Sequence, residues 1–317
     1  MKKNIILAAA LLAGLTAYAA EKSVRLSVAT GGTAGVYYPL GGGMAAVLSK
    51  YVPEIEATAE VTGGSVDNLK LVGTGKADIG FSMADSSYDA LTGTGKFKDK
   101  TPVRALMVLY PQPLVVATIE GTGINLVADL KGKRVSTGAP GSGTEVMSLR
   151  LLEAYGLDPN KDVTRERLSL AESVNALKDK KIDALMWSGG VPTAGLTDLA
   201  STPGVKMKLL DLGIATDAMN KKYGNIYLKG VIPANTYPGV DKDSVNVVVW
   251  NILVANEKMS DKIAYDIVKT LFEKKPELVA VHKDAMQIAL ESQKGNSPIP
   301  FHPGALKYFA EKNIKVK

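Results

Sequence analysis

Two glycine-rich stretches, about a hundred residues apart, carry the residues best suited to holding a small anion. The first is Thr30-Gly31-Gly32-Thr33-Ala34-Gly35 and the second Gly138-Ala139-Pro140-Gly141-Ser142-Gly143-Thr144. Each follows a short apolar strand and opens a helical pattern. The first turn of a helix has unpaired N–H groups at the positive end of its dipole, so it suits a carboxylate or phosphate. Small residues let such a group reach the backbone. A plain strand-to-helix turn, with Thr144 as N-cap, is the alternative that the second loop alone leaves open. Tyr37 and Tyr38 follow the first loop and offer an apolar plate with a hydroxyl at its rim. Neighbours on a helix point apart, so one of the two faces a ligand, and the expectation falls on Tyr37. Ser65, Ser82 and Ser188 add hydroxyls at turns and strand ends.

Enzyme signatures fit less well. Gly80-Phe81-Ser82-Met83-Ala84 approaches the G-x-S-x-G nucleophile elbow, with Ala where the last Gly belongs. A base would have to be His282, on a helical surface pattern, or His302, in a Pro-bounded turn. A serine hydrolase using Ser82 is therefore a minor alternative. Gly75-Lys76 and Gly95-Lys96 lack the rest of a P-loop, and Gly141-x-Gly143 lacks the third Gly of a dinucleotide fingerprint. With no Cys and two distant His, no transition-metal site is expected. The polar run holding Asp85 and Asp89 reads as a solvated loop rather than a calcium site. No cofactor is implied.

The elements that must position these residues occur twice. The spans Arg25–Asp85 and Arg134–Ser188 each run strand, glycine loop, helix, strand, Ser-led helix, then a Lys-(Ala/Ile)-Asp strand at Lys76-Ala77-Asp78 and Lys181-Ile182-Asp183. Ser65 reads as the cap of the first Ser-led helix, and Ser173 opens the second. Such alternation predicts α/β lobes with mostly parallel sheets, two βαβαβ units and a cleft between them. Residues 103–119 are almost continuously apolar apart from Pro111 and Pro113, which suits a buried strand crossing between lobes, with a hinge near Pro111–Val116. Val245 to Val254 is a second strong β segment, and Ser260 caps a helix after it.

Lys2-Lys3, the apolar run Ile5–Leu15 and Ala17-Tyr18-Ala19 read as a secretory leader over 1–19, too short to span a bilayer. Without Cys there is no disulfide framework and no lipid-anchoring thiol. Removing the two leader lysines lowers the formal charge from +6 to +4, compatible with an anionic solute. No basic stripe with interleaved aromatics points to nucleic acid.

The run Ala29-Thr30-Gly31-Gly32-Thr33-Ala34-Gly35-Val36-Tyr37-Tyr38-Pro39 resembles the first motif of the TAXI family, the extracytoplasmic solute receptors of one class of TRAP transporters. Thr62-Gly63-Gly64-Ser65 with Asn68-Leu69, Ala77-Asp78-Ile79-Gly80, Gly138 to Thr144, Ile232 to Tyr237 and Phe301 to Ala305 are similar to the family in the same order. Ala34 and Asn235 depart from it, where many members carry Gly. The resemblance implies a two-lobed periplasmic binding-protein fold of type II-like α/β architecture, joined by a two-strand hinge. The lobes would be 20–113 plus 238–317 and 114–237. The ligand would lie between Thr30, Gly31, Thr33, Gly35 and Tyr37, the Ser65 turn, the Ser82 strand end with its counterpart Ser188, and Gly141, Ser142, Gly143 and Thr144. Members are associated with glutamate, glutamine or 2-oxoglutarate. The implied partners are a small anionic solute and TRAP membrane permease subunits, with the receptor itself a monomer. A sensing subunit that hands its ligand to a membrane kinase would share the fold. Arg104 and Arg134 are candidates to pair a second carboxylate, with structural roles equally open.

Overall fold

The computed structural model describes residues 24–316, so the leader expected over 1–19 lies outside the described residues. The first unit is β1 (Val24–Ala29), α1 (Tyr37–Tyr51), β2 (Ile55–Glu60), α2 (Ser65–Gly73) and β3 (Ile79–Met83), followed by α3 (Ala84–Thr92). The long strand β4 (Val103–Ile119) leads to the second unit. It comprises β5 (Arg134–Ser136), α4 (Gly143–Ala154), β6 (Thr164–Glu166), α5 (Leu170–Lys178) and β7 (Ala184–Ser188). Next come α6 (Ala194–Ser201), β8 (Met207–Leu209), α7 (Ala215–Tyr223), β9 (Leu228–Ile232) and β10 (Ser244–Asn256). Helices α8 (Asp261–Glu273), α9 (Lys275–Val281) and α10 (Pro303–Glu311) complete the described chain.

One mixed sheet runs in the order β2-β1-β3-β10-β4-β7-β5-β6, with β8 added to β4 and β9 to β10. β1 is parallel to β2 and β3, and β5 to β6 and β7, so each lobe has the same three-strand parallel core. β4 and β10 cross both lobes. Near its start β4 pairs with β10 (Val103↔Asn256), and near its end with β7 (Leu114↔Ser188). β10 pairs with β9 up to Val248 and with β3 from Asn251. Side chains from Leu106 to Leu109 are all buried, because the sheet is covered on both faces there. At the crossing, Pro111 and Pro113 supply no N–H to the ladder, and the register with β10 slips between Trp250 and Ile252. The ladder is interrupted where the lobes join.

The repeat has a structural cause. Asp78 Oδ2 accepts the Ser27 N–H at 2.7 Å, and Asp183 Oδ2 accepts the Arg134 N–H at 2.8 Å. The amides of Asp78 and Asp183 in turn donate to the carbonyls of Ser27 and Arg134. Each closing Asp thus clasps the opening strand of its own unit. The counterpart of Arg134 is therefore Ser27, two residues beyond the Arg25 that sequence similarity had aligned with it. Arg134 spends its guanidinium on Asp183, at 2.7 Å, and Arg104 pairs with Glu257 at 3.0 Å. Neither arginine lines the site described below.

Three local expectations are corrected. Ser65 does not cap α2: the N-cap is Gly64 (φ +112°), Ser65 is the first helical residue, and its Oγ accepts the Met83 N–H. Ser169, not Ser173, leads α5, in a capping box with Glu172. Ser173 is buried against Ser136. The segment from Ser82 to Asp89, read as polar and solvated, is the end of β3 and most of α3, with Asp85 and Asp89 buried. Their partner is Arg150 on α4, too distant in sequence for any local pattern to reveal.

Candidate functional site

A cavity of about 260 Å³ lies between the two lobes. At about 30 Å³ per water-sized group it has room for on the order of nine such groups, a small metabolite. The two glycine loops form facing walls, Gly31 to Tyr37 from the first lobe and Ala139 with Ser142 to Thr144 from the second. Gln112, on the crossing part of β4, forms part of the floor. The turn Thr62–Ser65 and the β7 end, Trp187 to Gly189, complete most of the enclosure.

Nine of the twelve residues singled out from sequence line this cavity: Gly31, Thr33, Gly35, Tyr37, Ser65, Ser142, Gly143, Thr144 and Ser188. Three do not. Thr30 is buried, with its hydroxyl donated to the Glu60 carbonyl at 2.6 Å. Ser82 is buried and donates to the Met83 carbonyl, with Ser87 Oγ donating to it at 3.0 Å; no histidine is among its hydrogen-bond partners. His282 and His302 instead accept N–H groups from Asp284 and Gly304 at the starts of helical turns. Gly141 lies beside the cavity, and its carbonyl accepts the Val66 and Asp67 N–H groups of α2 at 3.0 and 3.1 Å. Those two first-turn amides serve a contact between lobes and are not left for a ligand.

Other lining residues had no local signal. Met83 stands at the same step beyond Asp78 as Ser188 beyond Asp183, so Met83, not Ser82, is the positional counterpart of Ser188. Successive side chains on a strand face opposite ways, which turns Ser82 from the cavity when Met83 faces it. Trp187 is fixed by its indole N–H, which donates to Thr193 Oγ1 at 3.2 Å. Leu170, next to the α5 cap, adds an apolar surface.

The polar floor is one connected chain. The Tyr37 hydroxyl donates to Asn251 Oδ1 on β10. Asn251 Nδ2 donates to Gln112 Oε1 at 2.9 Å, and Gln112 Nε2 to Ser188 Oγ at 3.1 Å. The Ser188 N–H reaches Thr144 Oγ1 at 3.3 Å. The chain therefore joins the first loop to the second across both crossing strands. Tyr37 meets the cavity with its ring, stacked on Phe81 at 4.9 Å, while Tyr38 is exposed. Burial pushes the Tyr37 phenol well up, against the opposing pull of the Ser65 hydroxyl, so it stays protonated as a donor.

The lobes touch closely around the cavity. A β-carbon on Gly143 would stand 2.6 Å from Ser65 Oγ and 2.7 Å from Met83 Sδ. One on Gly35 would stand 3.1 Å from the Trp187 ring. Away from the cavity, Arg150 meets Asp89 at 2.6 Å and Asp85 at 3.7 Å, and Tyr227 donates to Asp85 at 3.0 Å. Burial pushes the Asp85 carboxyl up, against the pull of Arg150. Lys96 reaches across to Glu145 at 3.4 Å.

Among the described residues no cluster of acidic or histidine side chains is arranged to hold a metal ion, and no helix is long and apolar enough to cross a membrane. Solved structures share the architecture. A protein from Bordetella bronchiseptica RB50 superposes with a TM-score of 0.53 at 20% identity, covering 91% of this chain and 89% of that one. A binding-protein component of an ABC phosphonate transporter from Pseudomonas aeruginosa gives 0.52 at 13%, covering 84% and 80%. A putative L-cystine ABC transporter from Listeria monocytogenes gives 0.51 at 16%, covering 83% and 95%. At these identities the likeness concerns the fold, which is that of the two-lobed periplasmic solute-binding proteins. The sequence itself is matched from residue 28 to residue 312 by the model of one family, and the chain belongs to that family, the NMT1-like family.

Proposed function

We propose that this chain is the periplasmic solute-binding receptor of a TAXI-type TRAP transporter, capturing a small carboxylate between its lobes and delivering it to membrane permease subunits. One observation carries the reading: glycine loops from opposite lobes face each other across a single cavity, and α4 opens onto it. Ser142 Oγ takes the Glu145 N–H at 3.0 Å and leaves the Gly143 and Thr144 amides for an anion. A ligand touching both lobes stabilises the closed form by its differential affinity for that form. No chemical step is required. Micromolar affinity needs about 8 kcal/mol. Hydrogen bonds to a charged group contribute roughly 1.5–3 kcal/mol each, so four or five with apolar contact suffice after ordering costs.

The TRAP assignment rests on the motif resemblance, and we take the lobes as 20–113 plus 238–317 and 114–237, after a leader over 1–19. The receptor acts as a monomer without a cofactor. Thermal shift of the mature protein against a panel of carboxylates and amino acids tests the reading, with stabilisation expected for at least one member. Silence across the panel, together with no co-purifying small molecule by mass spectrometry, counts against it. Ser142→Pro is expected to abolish the shift.

A further inference from the structure

We propose that the cavity selects a solute with one carboxylate and an apolar body, and discriminates against zwitterionic amino acids and dicarboxylates. This rests on the solute-receptor reading and narrows it. The lining departs in this from what the resemblance to receptors for glutamate, glutamine or 2-oxoglutarate implies.

The first observation is an inventory of protons. Several lining hydroxyls already donate within the protein: Thr62 to Asn68 Oδ1 at 2.6 Å, Ser142 to the Ala139 carbonyl at 2.7 Å and Ser169 to Glu172 at 2.7 Å. The Tyr37 hydroxyl donates to Asn251, and both ends of the Gln112 amide are engaged. Ser188 is held the other way round: its Oγ accepts from Gln112 Nε2 and has its own O–H left to donate. Ser65 Oγ accepts from the Met83 N–H and gives its proton to the Tyr37 oxygen. The Ser188 O–H and the Gly143 and Thr144 amides converge as hydrogen-bond donors, which is the complement of one oxyanion.

The second observation is what surrounds those donors. Among the described residues that line the cavity, none has a carboxylate, ammonium, guanidinium or imidazole side chain. Trp187, Leu170, Met83 and Val61 supply apolar surface instead. The carboxylate of Asp67 lies against Gly63 and Gly141 and is not part of the lining. A solute ammonium would be enclosed without a counter-charge, and a second carboxylate without a cation; both are costly to desolvate. An apolar body on the indole meets no such cost.

Gln112 sets the polarity. Its amide N–H holds Ser188 Oγ as an acceptor and so turns the Ser188 proton toward the solute. A carboxylate in its place would draw that proton away and put a negative charge in the floor.

The test uses the mature protein, unfolded and refolded to strip bound molecules, in calorimetric titrations with three probes. Isocaproate has one carboxylate and an isobutyl-type tail, leucine adds an α-ammonium to that skeleton, and glutarate replaces the tail by a second carboxylate. Isocaproate is expected to bind at least about 100-fold more tightly than either. Equal or tighter binding of leucine or glutarate overturns the selectivity while leaving a solute receptor standing. Mass spectrometry of the molecule released from the natively purified protein gives a second readout. A monoanion supports the proposal, and a zwitterion or dianion overturns it. If nothing is released and no probe binds, the receptor reading falls and takes this proposal with it. Gln112→Glu is expected to weaken isocaproate at least about tenfold, and unchanged affinity refutes the donor assignment at Ser188.

Discussion

Arg150 on α4 and Asp89 on α3 meet at 2.6 Å in an ion pair that joins the two lobes and is almost closed to solvent. Asp85 shares the guanidinium, and Tyr227 lies between them as donor to Asp85 and acceptor from Arg150. Arg150→Ala would leave two buried carboxyls without a counter-charge, at a cost of about 3–5 kcal/mol. Urea midpoints at neutral pH measure it. Adding Asp85→Asn and Asp89→Asn should recover more than half of the loss; no recovery means the charges are not its cause.

Gly143 offers a cleaner probe of closure. Its backbone has no left-handed conformation, so alanine suits the first turn of α4 within its own lobe. The clash of a β-carbon is with Ser65 and Met83 of the other lobe. Gly143→Ala should lower solute affinity at least about 100-fold while thermal stability without solute stays near that of the natural protein. Full-strength binding by this variant would show that closure does not need the contact.

The two tryptophans are placed so differently that fluorescence distinguishes them. Trp187 lines the cavity, whereas Trp250 lies on β10 with a buried indole N–H that has no partner. Solute-induced emission change should vanish in Trp187→Phe and persist in Trp250→Phe. Trp187→Ala should cost about 2 kcal/mol of binding, roughly 30-fold. A signal that survives Trp187→Phe places the solute elsewhere.

The clasp at Asp183 predicts a pH dependence. The hydrogen bonds from Arg134 hold this carboxyl below its ordinary value, against partial burial. A lowered carboxyl stabilises the folded state above the unfolded pKa of about 3.9 and loses that contribution as pH falls through the folded value. Asp183→Asn should therefore destabilise by on the order of 1 kcal/mol at neutral pH, a modest figure because Arg134 is half exposed. The gap to the natural protein should shrink below about pH 4. A gap that is constant from neutral to acid pH contradicts the clasp.

Much of the architecture was legible in the sequence because each unit repeats a strand–loop–helix order with strong periodicity. The glycine loops were legible because small residues between a strand and a helix have few other uses. Thr30, Ser82 and Gly141 were assigned to the site because they sit within the right motifs. Chain direction and strand alternation then send their polar groups elsewhere, to Glu60, to Met83 and to the α2 amides. Gln112 and Trp187 carried no local signal. Their importance comes from the crossing of β4 and the end of β7, which is a tertiary fact. The same holds for Asp85 and Asp89, acidic residues that read as solvated until Arg150 arrives from the other lobe.

The position of β10 has a consequence for how the molecule assembles. It lies between β3 and β4, although it follows both by well over a hundred residues in the chain. A nascent polypeptide therefore contains β3 and β4 long before it contains the strand that separates them. Neither the first lobe nor the floor of the cavity is complete until Ser244–Asn256 has been synthesised and threaded into that gap. Such non-local pairing slows folding. The late strand acts as a keystone for the first lobe and the cavity floor.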